Sequence, residues 1–131
     1  MNSFTLQLLA ADRGEVIKEV ASFNGEDATG SFGILARHDR FLTALRFGLA
    51  RLRFGDGREE YLGLPGGVLY FLDNQLRIST RRYLRDSDAR RIAAVLARDF
   101  LQEEETLELT RRKLHRLETE MLQSLARLEG P

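Results

Sequence analysis

The sequence predicts a β-sandwich of about eight short strands over residues 1–84, followed by an antiparallel α-helical hairpin over residues 85–131. Three observations predict this. Glycine recurs from Gly14 to Gly67 and then does not return until Gly130, and the only prolines are Pro65 and Pro131, so chain-turning chemistry stops halfway. The first half is cut into short apolar segments, several of which alternate with period two. The second half carries apolar residues at helical spacing.

Each element has its own reason. Phe4-Thr5-Leu6-Gln7-Leu8 alternates as a half-buried strand should, and Arg13-Gly14 suits a turn. Val16, Val20 and Phe23 anchor a second strand. Phe32 to Leu35 and Phe41 to Leu45 are apolar runs on either side of a charged knot, Arg37-His38-Asp39-Arg40. Leu49 to Phe54 and Glu59 to Leu64 flank Gly55-Asp56-Gly57, a hairpin signal because Asp-Gly tolerates positive φ. Pro65-Gly66-Gly67 turns into Val68 to Leu72, and Asp73-Asn74 turns into Leu76 to Thr80. Asp86-Ser87-Asp88 signals a helix start. Ile92, Val95, Leu96, Asp99 and Phe100 follow at helical spacing, and the polar run Gln102-Glu103-Glu104-Glu105-Thr106 is expected to break the helix in two. Leu107, Leu114, Leu117, Met121 and Leu128 then fall in one heptad frame, with Thr110 and Ser124 at its weak positions. Such a stripe suits packing within the chain or a groove on a partner.

Hydrophobic residues make up 43% of the chain, enough for a core. Basic and acidic residues number 20 each. Residues 1–84 hold 11 basic and 10 acidic residues, and 85–131 hold 9 and 10. Neither half has the positive excess that nucleic-acid binding needs. The absence of cysteine excludes disulfides and thiolate metal sites. No window approaches the ~20 apolar residues of a membrane span, and the first residues lack the basic and apolar regions of a signal peptide. The expectation is a soluble, intracellular protein without direct membrane insertion.

No catalytic constellation stands out. His38-Asp39 could pair a base with its orienter, but sequence adjacency says little of geometry, and no nucleophile motif or paired carboxylate lies nearby. A structural or interface role fits His38 better. His115 reads as helix surface, and no ligand spacing supports a metal. Gly55-Asp56-Gly57 and Gly66-Gly67 lack the Gly-Lys-Ser/Thr ending of a phosphate loop. Arg111-Arg112-Lys113 reads as a solvated face that could also meet an acidic partner.

The segment from Gly30 to Leu45, GSFGILARHDRFLTAL, carries a resemblance. Gly30, Gly33, His38, Leu42, Thr43, Ala44 and Leu45 match, at fixed spacing, a segment of the epsilon subunit of rotary F-type ATP synthases. Gly66-Gly67-Val68-Leu69 resembles a second, weaker family segment. Ser31 stands where the family has an acidic residue, Ala36-Arg37 where it has Pro-Gly, and Arg40 where it has proline. The chain is therefore similar to a divergent or accessory-type member. The resemblance implies a noncatalytic central-stalk subunit of a proton- or sodium-translocating synthase, at the cytoplasmic face of the bacterial inner membrane. Its partners would be the gamma subunit, the membrane rotor ring and, through the C-terminal hairpin, the catalytic head, where the hairpin could brake ATP hydrolysis. It places Gly30, Ser31, Gly33 and His38 in a rotor-ring-facing loop, with Gly30 and Gly33 in backbone geometry that a side chain would forbid. It places Gly66, Gly67, Val68 and Leu69 in a stalk-facing or core motif. Some family members bind ATP through an Asp-x-x-Arg motif, of which Asp88 and Arg91 remain here, although Asp88 is equally a helix-start acid; no cofactor is expected. The rival reading is a free-standing ligand-binding module or hydrolase on a sandwich scaffold.

Overall fold

The computed structural model describes residues 2–129; Met1, Gly130, Pro131 and the side chain of Phe100 lie outside the described residues. The strands are β1 (Phe4–Leu9), β2 (Gly14–Asp27), β3 (Gly30–Leu35), β4 (Phe41–Leu45), β5 (Gly48–Phe54), β6 (Glu59–Leu64), β7 (Gly67–Leu72), β8 (Gln75–Ser79) and β9 (Leu84–Asp86). One helix follows, α1 (Ala89–Glu129). The β-sandwich followed by helix that the sequence predicts is the architecture found.

Strand pairing defines two layers. In the first, the N-terminal part of β2 pairs with β1, and the order continues through β8 and β7 to β4. In the second, β3 pairs with the C-terminal part of β2, and the order continues through β5 and β6 to β9. Strand β2 belongs to both. Its register slips near Val20, where Glu19 has φ +62°, and the Glu19 carbonyl accepts a hydrogen bond from the Gly55 N–H at 3.4 Å. An irregularity of this kind bends a strand enough to pass from one sheet to the other.

Alternation fills the space between the layers. Leu6, Leu8, Leu69, Phe71, Leu76 and Ile78 of the first layer meet Phe23, Ile34, Leu52 and Leu62 of the second, all wholly buried. At ~25 cal/mol per Å² of apolar surface removed from water, this face supplies the main driving force. Phe4 stands edge-on to Phe71, with ring centroids 5.5 Å apart.

Two compact units are present, Met1–Leu96 and Ala97–Pro131. The first includes β9 and the first two turns of α1. Strand β9 escapes a sequence reading because Leu84-Arg85-Asp86 is short, charged and next to a helix start. Its pairing with β6 is supported by Arg85, whose guanidinium donates to both carboxylate oxygens of Glu60, at 3.2 and 2.9 Å, and lies 3.3 Å from Glu15. Ile92 and Leu96 of α1 are buried over Gly63 of β6, where an added Cβ would stand 2.4 Å from an Ile92 methyl.

In place of the expected hairpin, α1 runs unbroken through Gln102-Glu103-Glu104-Glu105-Thr106. Polarity does not end a helix: Gln and Glu are good helix formers, and no glycine or proline interrupts residues 89–129. The Thr106 and Thr110 hydroxyls donate to the carbonyls of Gln102 and Thr106, and Glu108 pairs with Arg112 one turn on, at 3.4 Å. The heptad residues Leu107, Leu114, Leu117, Met121 and Leu128 are exposed. His115 is exposed as expected.

Candidate functional surfaces

The segment from Gly30 to Leu45 forms β3, a charged loop and β4. It does not form one compact site. Gly30 ends the turn from β2 into β3, whereas His38 follows the far end of β3. At about 3.3 Å per residue, the strand sets these two positions on the order of 20 Å apart. The four residues expected in one loop are therefore divided between a turn, a strand and a loop.

At the Gly30 end the organising residue is Asp27, which the sequence reading passed over. It is 6% exposed. One carboxylate oxygen accepts from the Thr29 N–H at 2.8 Å and the Thr29 hydroxyl at 2.5 Å; the other accepts from the Thr43 hydroxyl at 2.7 Å. Asp-Ala-Thr-Gly is a sequence signature of this turn, because a short carboxylate bonds the backbone two residues on. The Thr29 and Thr43 bonds hold the Asp27 carboxyl below its ordinary value. A depressed folded-state pKa means stability that is present above the unfolded-state value, about 3.9, and lost as pH falls through the folded one. Thr43, one of the residues that carry the resemblance, thus ties β4 to the end of β2.

The two glycines of the segment differ. Gly30 has φ +120°, a conformation that favours glycine. Gly33 needs no such freedom: it lies in extended strand, and an added Cβ would stand 3.0 Å from the Asn24 amide nitrogen. The expected backbone reason holds for Gly30 and is corrected for Gly33, where the cause is a close neighbour. Gly33 borders an open groove of about 530 Å³ on the outer face of the second layer, lined also by Asn24, Leu49, Arg51 and Tyr61. Arg51 donates to Asn24 Oδ1 at 3.2 Å, while its Nε is buried without a partner.

At the other end Arg37 takes φ +65°, the left-handed region, at the position where the family pattern has glycine. Its N–H donates to Asn74 Oδ1 at 2.7 Å, and Asn74 in turn donates to the Ser3 carbonyl at 2.9 Å. These bonds hold a conformation that costs a residue with a Cβ about 1–2 kcal/mol. His38 is exposed, and its Nδ1 lies 2.7 Å from the backbone carbonyl of Asp39, not its carboxylate. The ring stands edge-on to Phe41 and Phe71, at 5.7 and 5.9 Å. The geometry is that of a lid on an aromatic cluster, and the base-and-orienter pairing is not formed.

Of the second segment, Gly67 opens β7 opposite Leu45, and an added Cβ would stand 2.6 Å from the Ser79 carbonyl oxygen. The Gly66 carbonyl accepts from the Thr80 hydroxyl at 2.6 Å. Leu69 is core and Val68 is exposed. These residues lie at the same end as Gly30, through the pairings of Leu45 with Gly67 and with Asp27. Asp88 caps α1, accepting from the N–H groups of Arg90 and Arg91 at 3.0 and 3.4 Å. Arg91 pairs with Asp86 at 3.2 Å and with Asp88 at 3.6 Å, so the remnant of the nucleotide motif is closed on itself. Tyr83, also passed over, is buried beneath the Arg13 guanidinium, 4.1 Å from the ring centroid, while Arg13 donates to the Tyr83 carbonyl. Burial raises the Tyr83 pKa above its ordinary value. Among the described residues, no three His, Asp or Glu side chains converge to hold a metal, and no helix is long and apolar enough to cross a membrane.

A two-layer sandwich of this topology, continued by a C-terminal helix, defines a class of subunit domain. The family model for the β-sandwich domain of the ATP synthase delta/epsilon chain matches residues 3–86. The chain belongs to that family. It is 30% identical over 109 residues, 82% of this chain and 75% of the relative, to ATP synthase epsilon chain 2 of Cereibacter sphaeroides. It is 25% identical over 79% of its length, and 75% of the relative's, to the ATP synthase epsilon chain of Polaromonas naphthalenivorans. A chain in the cryo-EM structure of the Euglena gracilis mitochondrial ATP synthase, OSCP/F1/c-ring, shares the fold with TM-score 0.57 and 23% identity, over 61% of this chain and 51% of that one. A chain in the Tetrahymena thermophila mitochondrial ATP synthase, central stalk/c-ring, does so with TM-score 0.50 and 15% identity, over 61% of this chain and 64% of that one. The chain thus spans about half the length of the first solved chain and under two thirds of the second.

Proposed function

We propose that the chain is a noncatalytic central-stalk subunit of an ion-translocating ATP synthase, bound peripherally at the cytoplasmic face of a bacterial inner membrane. The observation that carries this reading is the 30% identity to an epsilon chain over 109 residues, a length that extends beyond the sandwich into α1. On this reading the gamma subunit and the rotor ring hold opposite regions of the sandwich. Gly30 and His38 cannot serve one end, so we assign ring contact to the Gly30 end, with the Gly66–Gly67 turn, and leave Ser31, Gly33 and His38, along β3 and beyond it, to the stalk. The exposed leucines of α1 are the surface offered to the catalytic head, where the helix would restrain ATP hydrolysis. The unit that ends at Leu96, which takes in β9 and the start of α1 beyond the expected boundary at residue 84, then acts as a docking module, and the rest of α1 as a regulatory module. Asp88 and Arg91 serve the helix start in this reading and hold no nucleotide.

The test is affinity purification of the tagged chain from its own cells, with ATP hydrolysis and ion pumping measured on the assembly. Recovery with catalytic and stalk subunits, and hydrolysis that rises when the chain is cut after Leu96, is the expected result. A chain recovered without them and hydrolytically active alone would establish the free enzyme instead.

A further inference from the structure

The two layers have four outer edges, and they are not alike. Naked strand edges invite pairing with other chains, and proteins blunt them with charge, proline, bulges or brevity. The N-terminal part of β2 carries Glu15, Lys18 and Glu19 and the irregularity at Glu19. Strand β9 is three residues long and holds Arg85 and Asp86. Strands β3 and β4, which border the same open side, have no charged residue and no proline. Of these two, β4 is tied to β2 through Leu45 and through Thr43 on Asp27. Among the described residues, strand β3 pairs with β2 alone.

The register of β3 indicates which backbone groups are free. In the hairpin with β2, Asp27 and Gly30 close a two-residue turn, so Gly30, Phe32 and Ile34 turn their N–H and C=O toward β2, while Ser31, Gly33 and Leu35 turn theirs away. The loop takes the Leu35 carbonyl through the His38 N–H at 3.1 Å. Ser31 and Gly33 remain exposed, with small side chains that let another backbone approach. Half-buried Phe32 and Phe41, with ring centroids 5.2 Å apart, line the same opening, and Leu35 is 64% exposed at its end. Beyond it stand Arg37 and Arg40, neither with an ion-pair partner among the described residues.

We infer that β3 is a docking edge that accepts an extended segment of a stalk partner as an added strand, bonded to the backbone of Ser31 and Gly33. The segment presents an apolar side chain to Phe32 and Phe41 and a carboxylate to Arg37 and Arg40. This inference rests on the stalk reading above and specifies how the partner is held.

The decisive variant is Ser31→Pro, with Ser31→Ala as its control. Proline at 31 removes an N–H that β2 does not use, so the β2–β3 ladder survives. The probe is the tagged chain purified with its ATP synthase subunits. The expected result is a folded Ser31→Pro chain whose recovery of stalk subunits falls at least about tenfold, with Ser31→Ala unchanged. In parallel, the Ser31 and Gly33 amides of the wild-type complex should exchange hydrogen at least about tenfold more slowly than in the free chain. That second measurement decides the matter if Ser31→Pro fails to fold. Unchanged exchange, normal assembly of Ser31→Pro, or equal loss in Ser31→Ala overturns the added strand while leaving the stalk reading intact. Wild-type chain that recovers no ATP synthase subunit overturns both. Wild-type chain that dimerises with concentration, and no longer does so as Ser31→Pro, makes the occupant a second copy and overturns the partner strand.

Discussion

Leu6, Leu52 and Leu76 are wholly buried in the sandwich, whereas Leu101, Leu114 and Leu128 lie exposed along α1. The same side chain stabilises the fold in one region and is left to water in the other. In the sandwich, alternation along each strand delivers every second residue to a shared interior, and nonlocal pairs hold it together. In α1, only Ile92 and Leu96 among the described residues are buried. The remaining turns rest on local terms: backbone hydrogen bonds, the propensities of Glu, Leu and Arg, and pairs such as Glu108–Arg112. A helix supported in this way is marginal by itself, since most helical stability in proteins comes from packing one apolar face. The contrast separates a region that buries its own apolar residues from one that leaves them exposed.

The strongest way to break the contrast is to exchange a buried and an exposed side chain for alanine. Phe23→Ala should remove about 3–5 kcal/mol from the unfolding of the sandwich, and Leu114→Ala should change it by under ~0.5 kcal/mol, both read by denaturant melting. Equal effects would mean that the helix stripe belongs to the core. Gly63→Val pushes a branched side chain into Ile92 and Leu96. It should cost about 1–3 kcal/mol by overpacking, and hydrogen exchange should show the loss confined to the first two turns of α1 and to β9. Asp88→Ala removes the cap that Arg90 and Arg91 donate to. It should cost about 1 kcal/mol, seen as faster exchange of those two amides with the sandwich midpoint unchanged. The smallest effect has the opposite sign. Arg37→Gly relieves ~1–2 kcal/mol of left-handed strain and gives back ~0.5–1 kcal/mol of unfolded-state freedom. A gain of roughly 0.5 kcal/mol in sandwich stability is expected; a loss would show that the Arg37 side chain does more than extend from the loop.

The fold was legible where the signal was local. Gly55-Asp56-Gly57 and Asp73-Asn74 announce their hairpins, because positive φ is a demand that few residues meet; Gly57, Asp73 and Asn74 all take it. The helix start was legible for a related reason, since Asp88 is one of few side chains able to cap. What failed was inference from polarity alone. The polar run from Gln102 to Thr106 suggests a break, yet its residues favour helix and nothing in it forbids one. Strand β9 was invisible because its evidence is the pairing with β6, across some 20 residues of sequence. The candidate surface divided in the same way. The segment from Gly30 to Leu45 could be recognised from its residues, but a linear segment hides that β3 carries its two ends apart. Asp27 and the open edge of β3 depend on Thr43 and on the strand register, neither of which spacing reveals.

Strand β2 has a mechanical consequence. Layers held only by interdigitated side chains can slide over one another when torque is applied, because dispersion contacts re-form after a small displacement. Here one continuous backbone pairs with β1 of the first layer from Gly14 to Val20 and with β5 of the second from Val20 to Asn24. Sliding the layers would have to stretch that chain or strip one of its ladders. The strand thus stiffens the sandwich in shear as a covalent cross-tie between its layers.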